Sequence, residues 1–358
     1  MNRRVFFLIG CLMAYASSFS QTKVSTALSP SNKSRYKVIY PVAVKNDHPS
    51  LLPFSGIEIR DIRPDTTKLG FYRSTKDRHS YKYRFATNTA DELTAFLTDH
   101  FQQSFTPGSN NRLVIYIKKL WLSEFDSAEL SLHNTHVRNA WLYLKTEIYL
   151  QSQDAYYPIY RFDSVTYARK NNGYTSGGFI STTLLNALQV LDRTDFAKVI
   201  QKRKLDQASV DAFNNLAVAT TAFPKPAKGV YVSFDEFKNG RPSCTDYEVR
   251  FESLADIIYV KAPDGVVYPK RNVWGFSDGE TVFIRMGSNF FPLYNQEKTW
   301  EFYGTAAMEF RAPRMPILPG AGLPMMIASA GVTEFTQYEK RLVNLRAFQV
   351  DMENGKFY

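Results

Sequence analysis

Apolar residues recur along the chain with two different periods. Leu93, Phe96, Leu97, Phe101 and Phe105 fall on one face at helical spacing, the pattern of an amphipathic helix. Thr89 and Glu92 stand three apart at its start and predict a reciprocal cap of the first free amides. Pro107-Gly108 marks its stop. Upstream, Ile57, Ile59 and Ile62 predict a short strand that Pro64-Asp65 ends. Downstream, Leu113 to Leu122, Trp141 to Leu150 and Tyr157 to Tyr167 are β-branched and aromatic runs that predict strands, the last two joined by a hairpin at Ser152-Gln153-Asp154-Ala155. Helical spacing returns at Leu184, Leu185, Leu188 and Leu191, and again at Val210, Phe213, Leu216 and Val218.

This order predicts an α+β fold over residues 51–222, an N-terminal antiparallel sheet with helices on one face. Phe223-Pro224-Lys225-Pro226 reads as a linker. From 227 to 312 the segments are short and aromatic, separated by Asn239-Gly240, Asp264-Gly265 and Asp278-Gly279. Each pair suits a tight hairpin, so this region is expected to be a small all-β barrel or sandwich. Residues 336–358 are expected to close on a hairpin, with Lys356, Phe357 and Tyr358 returning past Asn354-Gly355 to Leu345 through Val350. Between them, 313–335 is a Pro/Gly-rich apolar segment whose uncharged run from Met315 to Val332 has the length of a membrane helix. Pro316, Pro319 and Pro324 each remove a backbone donor, which argues against a span. No transmembrane helix is therefore expected in the mature chain. A buried or surface-packed loop is the leading expectation, and contact with a partner or a membrane surface through Leu318, Leu323, Met325, Met326 and Ile327 is the alternative.

The first residues set the compartment. Arg3 and Arg4 precede an uncharged apolar run, Val5 to Ala16, and Ser18-Phe19-Ser20 offers small residues before Gln21, the form of an export signal over 1–20. Leu8-Ile9-Gly10-Cys11 also has the form of a lipobox. The run before Cys11 is short and continues past it, so cleavage after Ser20 is the leading reading and a lipoprotein the lesser one. Residues 21–50, rich in Ser, Lys, Thr and Asn, are expected to be a flexible lead-in. The protein would then reside in the periplasm, at the outer membrane or outside the cell. The chain carries 44 basic and 34 acidic residues, a net +10, and loss of Arg3 and Arg4 leaves it basic at +8. With Cys11 gone, Cys244 is the one remaining thiol, expected as a buried apolar side chain, with intermolecular pairing the lesser alternative.

The runs GVYVSFDEFKNGRPS (Gly229–Ser243) and VWGFSDGETVFI (Val273–Ile284) resemble a pattern shared by uncharacterised secreted or periplasmic proteins of Gram-negative bacteria. The resemblance implies export and a common β module, and it brings no catalytic residue.

Chemistry-bearing patterns are few. No Cys/His cluster has zinc spacing, and no nucleotide-binding or hydrolase signature is complete. His133 and His136 lack a third ligand and a glutamate base, so no metal, cofactor or catalytic residue is expected. Asp61 with Asp65, and Asp235 with Glu236, read as surface charges. The strongest feature is Lys76, Arg78, Lys82 and Arg84 interleaved with Tyr81 and Tyr83. In an extended segment the basic side chains share one face, and tyrosine rings between them suit stacking on planar or sugar groups. A solvated face is the simpler account of the same pattern. In the cytosol it would suggest single-stranded nucleic acid. Export favours an anionic lipid, an acidic glycan or an envelope protein, and no nucleic acid. The expectation is a non-catalytic binding or assembly module, with an envelope polysaccharide-acting enzyme and an adhesion or surface-assembly subunit as alternatives. Composition leaves the oligomeric state open.

Overall fold

The computed structural model describes residues 35–44, 51–74, 80–128, 136–170, 175–215, 226–252, 255–262, 264–287, 289–296, 299–304 and 346–358. Arg35–Tyr358 form one compact unit. The expected leader over 1–20, the apolar segment 313–335 and His133 lie outside the described residues.

The fold is α+β, as expected. The strands β1 (Arg35–Val38), β2 (Ile57–Asp61), β3 (Gly70–Arg73) and β4 (Ser80–Arg84) come first, followed by helix α1 (Thr89–Phe101) and the long strands β5 (Asn111–Ala128), β6 (His136–Ser152) and β7 (Ala155–Lys170). They make one seven-stranded sheet in the order β1-β4-β3-β5-β6-β7, with β2 also against β5. The β5-β6-β7 part is an antiparallel meander, turned at Gln153, which has φ 54°. The sheet as a whole is mixed: β2 and β3 run parallel to β5, and β1 runs parallel to β4. Parallel neighbours need a crossover, and α1 lies on the path from β4 to β5. β1 falls within the stretch expected to be a lead-in.

Helices α1 and α2 (Ser176–Leu188) cover one face of this sheet. Leu93, Leu97 and Phe101 of α1 and Leu184 and Leu188 of α2 share a core with Leu113, Ile115, Leu122 and Leu142. The cap of α1 sits one residue earlier than expected. Asn88 accepts from the Asp91 amide at 2.8 Å, while Glu92 reaches back to the amide of Thr87 at 3.1 Å. The Thr89 hydroxyl instead accepts from Arg63.

The opposite face of the sheet is divided. At one end, Val114, Tyr116, Tyr149 and Tyr156 pack under Val210, from a helix following the short α3 (Phe196–Ile200), namely α4 (Gln207–Asn215). At the other end the face meets the second region. The change falls at a bulge in β5 between Ile117 and Lys119. One extra residue reverses the side to which alternate side chains point. Odd-numbered Leu113, Ile115 and Ile117 face the helices before it, and even-numbered Leu120 and Leu122 do so after it.

The second region contains a six-stranded antiparallel sheet in the order β16-β15-β14-β13-β12-β8 and a three-stranded one, β11-β10-β9. Their ranges are β8 (Gly229–Tyr231), β9 (Tyr247–Glu252), β10 (Ala255–Lys261), β11 (Val267–Lys270), β12 (Gly275–Ser277), β13 (Val282–Met286), β14 (Asn289–Gln296), β15 (Thr299–Gly304) and β16 (Arg346–Gln349). Neither sheet closes into a barrel. Gly265, Gly279 and Gly355 turn the expected hairpins with φ of 87°, 102° and 72°. Asn239-Gly240 does not turn a hairpin. It ends a short helix, α5 (Phe234–Lys238), whose cap is built by Ser233 and Glu236 three apart. Phe237, Trp274 and Trp300 pack together in this core, Phe237 stacked on Trp274 at 4.6 Å.

The two expected regions are therefore separate sheets in contact. Phe71 meets Trp121 and Tyr303, Tyr143 lies against Tyr358, and the Trp121 indole donates to the Ala347 carbonyl at 3.4 Å. Three lysines of the first region reach acids of the second: Lys68 to Glu301 at 2.8 Å, Lys119 to Asp351 at 3.3 Å and Lys145 to Glu353 at 2.9 Å.

Candidate functional site

The described part of the basic and aromatic run, Ser80–Arg84, is carried on β4, between β1 and β3. Alternation separates its two residue types, as strand geometry requires, but sends the tyrosines inward. Tyr83 is fully buried; its hydroxyl donates to Glu124 Oε2 at 2.6 Å and accepts from Ser176 at 3.2 Å. Tyr81 stacks on Tyr72 at 5.8 Å. Tyr83 therefore has no face for a ligand, against the stacking role expected of it. Lys82 and Arg84 point to the other side. Lys82 is directly opposite Phe71 and Tyr36 in the two adjoining strands. Lys76 and Arg78 lie outside the described residues, as do Leu318, Leu323, Met325, Met326 and Ile327.

Arg84 has a distinct setting. Its guanidinium lies 4.9 Å from the centre of the Tyr36 ring, a cation–π contact. Among the described residues no carboxylate reaches it. Both side chains line a cleft of about 260 Å³, together with Thr66, Thr67, Thr87 and Lys68. The other cations beside this cleft are matched. Lys68 is held by Asp65 at 3.1 Å and Glu301 at 2.8 Å. Arg63 grips Asp61 through two nitrogens, at 2.8 and 2.6 Å. Asp61 and Asp65, expected as surface charges, are thus largely buried ion-pair partners. Burial pulls the Lys68 pKa down, but Glu301 and Asp65 more than offset it and hold the ammonium above its ordinary value. The cleft is a polar recess in which Arg84 has no acid facing it among the described residues, an arrangement that can hold an anionic group by charge-assisted hydrogen bonds.

A second polar cluster lies under α2, on the helix-covered face. Tyr72 donates to Asp126 at 2.6 Å, and Arg138 donates to Asp126 at 3.0 Å and to the Tyr72 oxygen at 2.9 Å. Burial first, and the hydrogen bond to Asp126 second, push the Tyr72 pKa up to about 12. Burial also opposes the charge on Arg138, yet the bond to Asp126 and the neighbouring tyrosines keep its pKa raised. Glu124 Oε1 is buried without a hydrogen-bond partner. The cluster joins residues from four strands and is closed over, Glu124 being 1% exposed, so it acts within the core. Its acids escaped the sequence reading because a Glu-x-Asp pair in a strand gives no hint of which face is apolar.

Cys244 is half-buried and donates to the Asp246 carbonyl. Among the described residues no group of three or more His, Cys, Asp or Glu side chains converges as a metal site, and no helix is long and apolar enough to cross a membrane.

No family model and no curated protein matches the chain. A solved structure of a Xanthomonas campestris protein, of the DUF330 family model, is similar over 45% of this chain and 99% of that chain, with 11% identity and a TM-score of 0.29. A likeness at that level bears on neither fold nor function here.

Proposed function

We propose that the protein is an exported, non-catalytic binding module of the bacterial cell envelope, and that the cleft at Arg84 takes an anionic group of an acidic glycan. The observation that carries the reading is Arg84 itself, a cation on the Tyr36 ring with no acid facing it among the described residues, beside a polar recess of about 260 Å³. Export rests on Arg3, Arg4 and the apolar run that follows them, and it makes envelope glycans the available polyanions.

The protein expressed with its leader is expected in the periplasmic or membrane fraction, and the purified protein is expected to bind a heparin oligosaccharide, used as an anionic glycan probe. A charge-assisted hydrogen bond contributes roughly 1.5 kcal/mol or more, so Arg84→Gln should raise the dissociation constant about tenfold. Equal affinity in wild type and variant, both folded by circular dichroism, would remove the cleft from the account. Recovery from the cytosol with residues 1–20 intact would remove the envelope.

A further inference from the structure

β7 is the outer strand of the seven-stranded sheet and is 16 residues long. Its inner edge pairs with β6 throughout. Its outer edge is used at one place among the described residues, where Tyr156 and Leu205 exchange two backbone hydrogen bonds of 2.9 Å. Beyond that point no described strand covers it. None of the residues from Tyr157 to Ala168 is buried, and Tyr160, Val165 and Tyr167 are 43%, 48% and 52% exposed. Long free edges are normally blunted by proline, charge or a bulge. Here Pro158 and the bulge at Ile148/Tyr149 both sit at the end that Leu205 already occupies. From Tyr160 to Ala168 the edge carries just two charges, Arg161 and Asp163.

Those two charges define a partner. We propose that β7 is a dimerisation edge, where two copies of this chain pair antiparallel about a twofold axis through Phe162 and continue the sheet from one copy into the other. Side chains directly opposite in an antiparallel pair share a face, and like charges opposite one another are destabilising. An axis at Arg161 would set arginine against arginine, and one at Asp163 would set aspartate against aspartate. The axis at Phe162 places each Arg161 opposite the other copy's Asp163. It also joins two rows of alternating charge already present in each copy. One runs Lys118, Glu147, Arg161, with separations of 3.6 and 2.5 Å. The other runs Glu353, Lys145, Asp163, with separations of 2.9 and 3.9 Å. Across the axis the two rows meet with the sign still alternating. On the opposite face, Tyr160 and Phe162 border an open cleft of about 600 Å³ against Leu185 and Val190, which leaves room for the second copy's Phe162. Arg84 is carried at the other side of the sheet, so pairing through β7 leaves its cleft free.

Light scattering on the eluted full-length chain, from low to high micromolar, should give twice the chain mass. In a Cys244→Ser background, Phe162→Cys should cross-link to itself under mild oxidation, because residues opposite in an antiparallel pair have Cα atoms within disulfide reach, whereas Ser164→Cys should not. Asp163→Arg, which puts arginine opposite arginine twice, should raise the dimer dissociation constant at least tenfold with an unchanged circular dichroism spectrum. A monomer at every concentration overturns the proposal. So does a dimer that survives Asp163→Arg unchanged, or one that cross-links through Ser164→Cys and not through Phe162→Cys.

Discussion

Replacing Lys68 with methionine should leave a buried carboxylate without its cation. In the native protein the Lys68 ammonium is 2.8 Å from Glu301 and 3.1 Å from Asp65, and the Lys68 and Glu301 side chains are 4% and 6% exposed. At 2.8 Å and an effective dielectric near 20, the attraction between unit charges is about 6 kcal/mol. Much of that offsets the cost of burying both ions, and removing one partner of such a pair typically costs about 3–5 kcal/mol. Against a total stability of roughly 5–15 kcal/mol, Lys68→Met should shift the urea midpoint by a large fraction. The companion Lys68→Met/Glu301→Gln removes the more deeply buried of the two carboxylates that Lys68 pairs, leaves Asp65 its hydrogen bonds from Thr67, and keeps an acceptor for the Thr299 hydroxyl, which donates to Glu301 at 2.7 Å; it should recover part of the loss. The sign of the pH dependence follows from burial, which holds the Glu301 pKa above its ordinary value even beside Lys68. A carboxyl raised in the folded state lends stability below its unfolded pKa and withdraws it as pH rises. The deficit in Lys68→Met should therefore be smallest in mild acid and grow toward neutrality. Urea unfolding followed by tryptophan fluorescence at both pH values tests this. A loss under about 1 kcal/mol, the range of exposed pairs, with no pH dependence would mean that the joint between the sheets is wet and the reasoning wrong.

Two further outcomes follow from single residues. The Tyr72 phenol, raised to about 12 by burial and by Asp126, favours the neutral form in the folded state; its stabilisation is complete below an ordinary phenol pKa near 10 and fades as pH climbs toward 12. Tyrosinate absorbance should lose one late step in Tyr72→Phe, and a titration identical to wild type would refute the assignment. Gly70 has φ 139°, and a Cβ there would lie 1.8 Å from the Leu122 carbonyl oxygen, so Gly70→Ala should cost at least about 3 kcal/mol; a midpoint shift worth under about 1 kcal/mol would show that β3 and β5 part easily.

What the chain announces about itself depends on whether the partners are local. α1 is plain because Leu93, Leu97 and Phe101 lie one turn apart and are all buried. The hairpins at Gly265, Gly279 and Gly355 are plain because the turn needs positive φ and the pair of turn residues supplies it. Ser233 and Glu236 carried an equally local signal for α5, which the Asn239-Gly240 pair obscured. Other features depend on distant residues. Period-two alternation on β4 divided tyrosines from cations correctly, but the inward side was fixed by Glu124 and Ser176, far along the chain. Parallel pairing of β2 with β5 leaves no mark in either strand. The bulge after Ile117 lets Lys118 and Lys119 both be buried, with Glu147 and Asp351 as partners, where a strict alternation would have sent one of them to the helices. Arg84 was legible as a candidate; its isolation from acids was not.

The contact between Trp121 and Ala347 spans 226 positions in the chain, and the same late segment supplies Arg346 over the Trp141 ring at 4.3 Å. A polypeptide emerging from its amino end presents a hydrophobic aromatic strip long before the cover for it exists. Such distant closures are slow and leave nascent chains prone to stick to one another. Biogenesis of this protein should accordingly depend on escort during that interval, and truncations upstream of Arg346 should accumulate as insoluble material however well their remaining strands are chosen.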